Sequence, residues 1–232
     1  MKTTELSKNI KYAFIKSLPV MAGYIFLGIA FGIVLSEAGF GTIWALIMSV
    51  CVYAGSMQFV MVPMLASMVS PLSMAITAFF VNSRHMFYGL SFTESFSKMK
   101  TKPYMIFALT DETYSVLCGC RSEDPKEEMR AAWFLIALFD QLYWITGSII
   151  GNVMGQVLPI DFTGIDFSMT ALFVVILTEQ ILSGGRKELF AAAAGLGISV
   201  IALALLGARN FLLPALIITV LIVLIRTGRA KE

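Results

Sequence analysis

AGFGTIWALIMSVCVYAGSMQFVMVPMLASMVSPLSMAITAFFVNS, residues 38–83, contains no Asp, Glu, Lys, Arg or His. At about 20 residues per bilayer crossing, this run is long enough for two membrane entries. The turn Val69-Ser70-Pro71 divides it into one segment over 43–66 and a second that begins at Pro71. Outward from there, further apolar stretches lie at 18–35, 104–120, 131–151, 167–182, 189–206 and 211–225. About eight membrane segments result, so the fold class is all-α, a polytopic transmembrane helix bundle. Composition agrees, with 58% hydrophobic and 14% charged residues against about 25% charged in soluble domains. The polar pieces between segments are too short to fold alone. A single transmembrane domain over 1–232 is therefore expected, with a basic tail at 1–17 and a second tail at 226–232, both cytosolic. The basic flank of Lys8, Lys11 and Lys16 and the small residues around Ser36 imitate a signal peptide. The 18–35 stretch is longer than a usual signal core and more membrane sequence follows, so it reads as a retained first helix.

Several function classes lack their chemistry here. No Gly-x-x-x-x-Gly-Lys-Ser/Thr phosphate loop appears, which speaks against a primary pump, and neither Gly-x-Ser-x-Gly nor His-Glu-x-x-His is present. The sequence reads as a non-enzyme without cofactor or metal site. Cys51, Cys118 and Cys120 are odd in number and have no metal-ligand spacing. The lipid bilayer is the implied surroundings, and nucleic acid is not an expected partner.

Charges interrupt the apolar stretches at Arg84, His85, Asp111, Glu112 and Asp140. Each costs roughly 2.5–3.5 kcal/mol near a bilayer centre on insertion scales, so such residues mark substrate or ion pathways by default. Lys and Arg placement bears on the same region. Eight full crossings put the N-terminal lysines, the 121–130 loop, Arg186, Lys187 and the C-terminal tail on the cytosolic side, but leave Lys98, Lys100 and Lys102 outside, against the positive-inside tendency. Broken or re-entrant helices around 82–85 and 109–113, entering and leaving on the cytosolic side, remove the conflict. Transporters build substrate sites from such interrupted helices.

Asn82, Arg84, His85 and Tyr88 fall within about two helical turns and form a candidate anion site, because the guanidinium fork suits a carboxylate. The competing reading is that Arg84 snorkels to an interface or pairs with an acid on another helix. Asp111 and Glu112 point about 100° apart on a helix, so only one faces a given partner. One could hold an ammonium or pair with Arg84 while the other titrates, and a solvated loop is the bland alternative. Asp140 lies near the centre of the fifth segment, beside Tyr143 and Trp144. Gln58 is a buried amide in an uncharged segment, suited to a site or to an interhelical hydrogen bond. Gly28 and Gly32, and Gly147, Gly151 and Gly155, form small-xxx-small patterns that favour close helix packing. No internal repeat is evident.

Four blocks carry a resemblance: Tyr53-Ala54-Gly55-Ser56-Met57-Gln58-Phe59, Asn82-Ser83-Arg84-His85-Met86-Phe87-Tyr88-Gly89, Leu109-Thr110-Asp111-Glu112-Thr113-Tyr114 and the stretch 171–180. In this order the chain resembles the AzlC family, the large subunits of bacterial branched-chain amino-acid exporters. The resemblance implies secondary-transport export of leucine, isoleucine or valine, sometimes methionine, across the bacterial cytoplasmic (inner) membrane. It also implies a small hydrophobic partner subunit of the AzlD type. It assigns no ligand roles, so Arg84, Asp111, Glu112, Asp140, Asn82, His85 and Gln58 stand on the physical argument alone. An ion channel or carrier using the same buried charges is the alternative function.

Overall fold

A computed structural model describes residues 3–120, 127–158, 164–165, 167–184, 186–207 and 211–229; the side chains of Arg84, Glu179 and Gln180 are among those inside helices that lie outside the description. Every regular element among the described residues is an α-helix. In chain order these are α1 (Thr3–Glu37), α2 (Thr42–Cys51), α3 (Gly55–Ala66), α4 (Pro71–Ser97), α5 (Lys102–Phe107), α6 (Asp111–Gly119), α7 (Glu127–Val157), α8 (Phe167–Gly184), α9 (Arg186–Leu206) and α10 (Leu212–Arg229). They fall on the eight apolar stretches of the sequence, with two stretches each split into a pair of short helices. The segment 3–17, expected as a tail, is helical and continuous with the first apolar stretch. Among the described residues, Leu6–Glu37, Met129–Val157 and Leu189–Leu206 are long and apolar enough to cross a membrane.

The chain forms two compact units. One holds 1–69 and 81–168; the other holds 70–80 and 169–232. In the second, α9 packs along α10, where Gly195 faces the Thr219 methyl group. Only 6% of the most apolar window of α9 is buried.

The first unit is built on α1 and α7, which run parallel. Ser17 meets Tyr143, Gly28 meets Gly147 and Ser148, and Gly155 meets Ser36. The small-xxx-small glycines are the reason for this closeness. A Cβ on Gly147 would lie 2.7 Å from the Ile25 carbonyl oxygen, and one on Gly32 or Gly151 would overlap backbone of the opposite helix. Without a hydrophobic driving force between helices in lipid, backbone approach of this kind supplies the packing energy. Asn152 fastens the far end by donating to the carbonyls of Gly32 (3.2 Å) and Phe40 (3.0 Å). Gly39 turns the chain there with φ +87°, the left-handed conformation that ends helices.

Against this frame the short helices reverse direction twice. Thr42 of α2 meets Gln156 of α7, and the Val50 carbonyl meets Gln141, so α2 runs antiparallel to α7. The helix stops at 52–54, where Tyr53 takes φ +41°. Gly55 and Gln58 of α3 then meet Trp144, and Phe59 meets Phe31 of α1, so α3 runs back the way α2 came. At the other end, Tyr104 of α5 packs on Phe134 and Phe107 reaches Tyr53. After the break at 108–110, Glu112 meets Tyr24 and Cys120 lies against Tyr12, so α6 returns toward the start of α1.

The break expected around 109–113 is thus present at 108–110, with α6 beginning at Asp111. The break expected around 82–85 is not: α4 runs unbroken through Asn82, Ser83, Arg84 and His85. A charge in an apolar helix costs solvation but asks nothing of φ and ψ, and this stretch holds no Pro or Gly. The second interruption instead lies at 52–54, inside the uncharged run.

The lower half of α4 is held by aromatic contacts. Tyr88 stacks on Tyr114 at 4.4 Å, and Phe92 and Phe96 pack edge-on against Trp133. α4 therefore descends antiparallel to α7. Its end and the start of α5 bring Lys98, Lys100 and Lys102 to the same end of the unit as the starts of α1 and α7. The long helix and two short ones of α1–α3 recur in opposite sense in α4–α6, an inverted repeat in secondary structure that the sequence does not display.

Candidate functional site where the two helix breaks meet

Both breaks converge on the middle of α7. The rings of Tyr53 and Phe107, one beside each break, lie 6.1 Å apart. Gln141 of α7 touches both sides: its Nε2 donates to the Val50 carbonyl (3.3 Å), and its Oε1 accepts from the Tyr104 hydroxyl (2.8 Å). One turn on, Trp144 donates its indole N–H to Gln58 Oε1 (2.9 Å), stacks on Phe31 and meets Tyr24 edge-on at 5.4 Å. Trp144 fills the space beside Gly55, where a Cβ would stand 3.1 Å from the indole ring. Gln58, fully buried, has its amide oxygen satisfied by this bond.

The acidic side is organised by Thr110. Its backbone is extended (φ −75°, ψ 174°), and its hydroxyl accepts the Thr113 N–H at 3.3 Å, so it caps α6. Asp111 and Glu112 follow in the first turn, where the helix dipole favours negative charge. They point to different partners, as their angular separation requires. Asp111 Oδ1 lies 3.8 Å from His85 Nε2, within ion-pair range but beyond a hydrogen bond. Glu112 Oε2 accepts from the Tyr24 hydroxyl at 2.7 Å.

A line of hydroxyls leads inward from there. The Tyr24 oxygen also lies 2.7 Å from Thr110 Oγ1, so its one proton can turn to either neighbour; Thr110 donates to Thr113 Oγ1 (3.1 Å), and Thr113 donates to Asp140 Oδ2 (2.8 Å). Asp140 is 0% exposed, and its Oδ1 has no hydrogen-bond partner among the described residues. A buried acceptor left in that state costs roughly 1–3 kcal/mol, a cost that structure alone does not require.

Of the residues singled out in the sequence, the structure joins Asp111 with His85, and links Glu112 with Asp140 through hydroxyls. Gln58 enters by way of Trp144. Asn82 and Arg84 sit on α4, the Asn82 Oδ1 buried without a hydrogen-bond partner and the Arg84 side chain outside the described residues. Sequence reasoning missed Tyr24, Tyr53 and the connecting role of Thr110 and Thr113. A threonine immediately before two acids is a helix-start signal that could have revealed the cap. Tyr24, in a glycine-rich apolar helix, carries no such sign. Among the described residues no three His, Cys, Asp or Glu side chains gather as metal ligands.

The arrangement offers contrasting charge on its two sides. α3 begins at Gly55 without a side-chain cap, leaving main-chain N–H donors at its start. α6 begins with two carboxylates. Comparison with known proteins gives this geometry a context. Residues 19–158 match the family model described as AzlC protein. The chain is 36% identical to the "Branched-chain amino acid transport protein AzlC" of Bacillus subtilis, over 93% of this chain and 84% of that one. An "Uncharacterized membrane protein" of Haemophilus influenzae is also 36% identical, over 91% of this chain and 86% of that protein. The "Inner membrane protein YgaZ" of Escherichia coli is 29% identical, over 78% and 75%. No solved structure gives a significant match. The likeness runs through both helix breaks and the whole of α7, and the chain belongs to the AzlC family of membrane transport proteins.

Proposed function

We propose that this chain is a secondary transporter that carries leucine, isoleucine and valine, with methionine as a further candidate, out of the cell across the bacterial cytoplasmic membrane. The observation that carries the reading is the meeting of two interrupted helices of opposite character at the fully buried Asp140. A zwitterion needs an N–H-rich patch for its carboxylate, an acceptor for its ammonium and an apolar wall for its side chain. The start of α3 fits the first. Asp140, with its free Oδ1, and Glu112 fit the second. Trp144 and Phe31 supply apolar surface beside them. Asn82, Arg84 and His85 lie on α4, where His85 comes near Asp111, and the three are proposed as secondary contacts on the path.

The end of the first unit that gathers the lysines of 8–16 and 98–102 is assigned to the cytosol by the positive-inside tendency, which puts the α5–α6 break on a cytosolic entry and the α2–α3 break on an outer one. A small hydrophobic AzlD-type subunit is proposed as the partner, on the strength of the family alone. The test is efflux of the four amino acids from dipeptide-loaded cells expressing the chain with and without that subunit. Efflux that falls by about a hundredfold in Asp140→Asn, with the variant still present in the membrane, supports the reading. Undiminished efflux in Asp140→Asn moves the site elsewhere, and absence of efflux for all four with both subunits present favours an ion carrier instead.

A further inference from the structure

We propose that Glu112, Tyr24, Thr110 and Thr113 form a proton relay that loads and unloads Asp140, making Asp140 the coupling group of the secondary transporter proposed above, on which this inference rests. Four features of the structure point to it. The chain of hydroxyls is unbroken, with successive oxygen–oxygen distances of 2.7, 2.7, 3.1 and 2.8 Å. Its two ends are carboxyl groups, and its middle members are all hydroxyls, each able to accept one proton and give another. One end, Glu112, is half-buried while the other, Asp140, is fully buried. Three successive links share one polarity, Tyr24 donating to Thr110, Thr110 to Thr113 and Thr113 to Asp140, while the single Tyr24 proton stands 2.7 Å between oxygens on either side and points to Glu112 Oε2 when that carboxyl is ionised or to Thr110 when it is protonated.

Transfer balances without any further reactant. A protonated Glu112 gives its proton to the Tyr24 oxygen, Tyr24 gives its own to Thr110, Thr110 to Thr113, and Thr113 to Asp140 Oδ2. Four O–H bonds break and four form. The net change is one proton moved from Glu112 to Asp140, and rotation of the three hydroxyls resets the chain. Among the described residues, the groups facing Asp140 from the surrounding elements are Glu112 and Thr113 of α6, Tyr104 of α5 and Tyr53 of the 52–54 linker. None of these is a cation, so protonation is the means by which Asp140 loses its charge when no ammonium neutralises it. Binding of an ammonium and binding of a proton at one carboxylate exclude each other, which is the condition for exchange of one against the other.

The test is a pH-jump infrared measurement on the purified full-length protein. A carboxyl band that is absent in Asp140→Asn reports protonation of Asp140 directly. Tyr24→Phe keeps the ring packed on Trp144 but removes the hydroxyl that joins Glu112 to Thr110. Thr113→Val cuts the chain one step from Asp140, and Thr113→Ser restores a hydroxyl there. The relay predicts that the band rises about tenfold or more slowly in Tyr24→Phe and Thr113→Val and at near-native rate in Thr113→Ser. Native rates in both cut variants, or equal slowing in Thr113→Val and Thr113→Ser, overturn it. In proteoliposomes, Tyr24→Phe should retain leucine–leucine exchange and lose leucine accumulation driven by a pH gradient. Equal loss of both modes also overturns the relay. Absence of leucine exchange in the unaltered protein overturns the amino-acid reading and leaves the infrared result to decide the relay.

Discussion

The two helix breaks of the first unit meet at one level of α7 and have opposite chemistry. The first, at 52–54, lies in a segment without charge; it opens onto a helix whose preceding residue, Ala54, has no side chain able to cap it. The second, at 108–110, opens onto a helix capped by Thr110 and begun by Asp111 and Glu112. One start is left as a donor surface and the other is filled with acceptors. An inverted repeat brings equivalent backbone to one level from two directions, and side-chain chemistry then makes the two halves unequal. That inequality is what a zwitterionic substrate needs, and a symmetric pair would hold only one of its ends.

The frame that sets both tips at one level can be broken outright. Gly151→Val places a branched side chain into the Ile29 backbone, and a cost above about 4 kcal/mol is expected from overpacking with no room to yield. Loss of the folded protein from detergent extracts, measured by size-exclusion chromatography, is the expected outcome. The comparison itself is sharpened by exchanging the caps. Thr110→Ala should destabilise by about 1 kcal/mol through loss of the bond to the Thr113 N–H, and should lower transport because it also interrupts the hydroxyl line. Ala54→Ser should move the two properties apart. Adding a cap of about 1 kcal/mol to α3 raises the melting temperature while occupying donors proposed for the substrate carboxylate, so leucine flux falls in a more stable protein. A rise in both would mean that the start of α3 takes no part in binding. The smallest effect belongs to His85→Gln. Its contact with Asp111 is long, and both groups are about a quarter exposed, so a change below about 1 kcal/mol in stability is expected from thermal melts.

The sequence displayed the second break and concealed the first for physical reasons. Thr110-Asp111-Glu112 combines a capping residue with first-turn acids, a pattern that announces a helix start even inside apolar sequence. Residues 43–66 carry no such marker. The change of direction there rests on Tyr53 at φ +41°, a conformation no residue type announces. Arg84 and His85 misled in the opposite way, since charge was read as a backbone interruption and α4 passes through them as a regular helix. The glycine spacings at Gly28, Gly32, Gly147, Gly151 and Gly155 signalled close helix packing but not its partners; the structure sets the two patterns against each other, where close approach leaves no alternative to a missing side chain. Asp140 was visible from its depth in a segment. Its connection to Glu112 was not, because Tyr24 and Asp140 are far apart in sequence and the hydroxyls between them are ordinary residues until the fold aligns them.

The substrate path proposed between the two breaks runs where Tyr53 and Phe107 meet. With Cys51, Cys118 and Cys120 replaced by serine, Tyr53→Cys and Phe107→Cys together allow the two tips to be joined by a short bifunctional methanethiosulfonate linker and released by reductant. Leucine counterflow into proteoliposomes should stop when the cross-link forms and return when it is reduced. Full counterflow through the cross-linked protein would contradict the account.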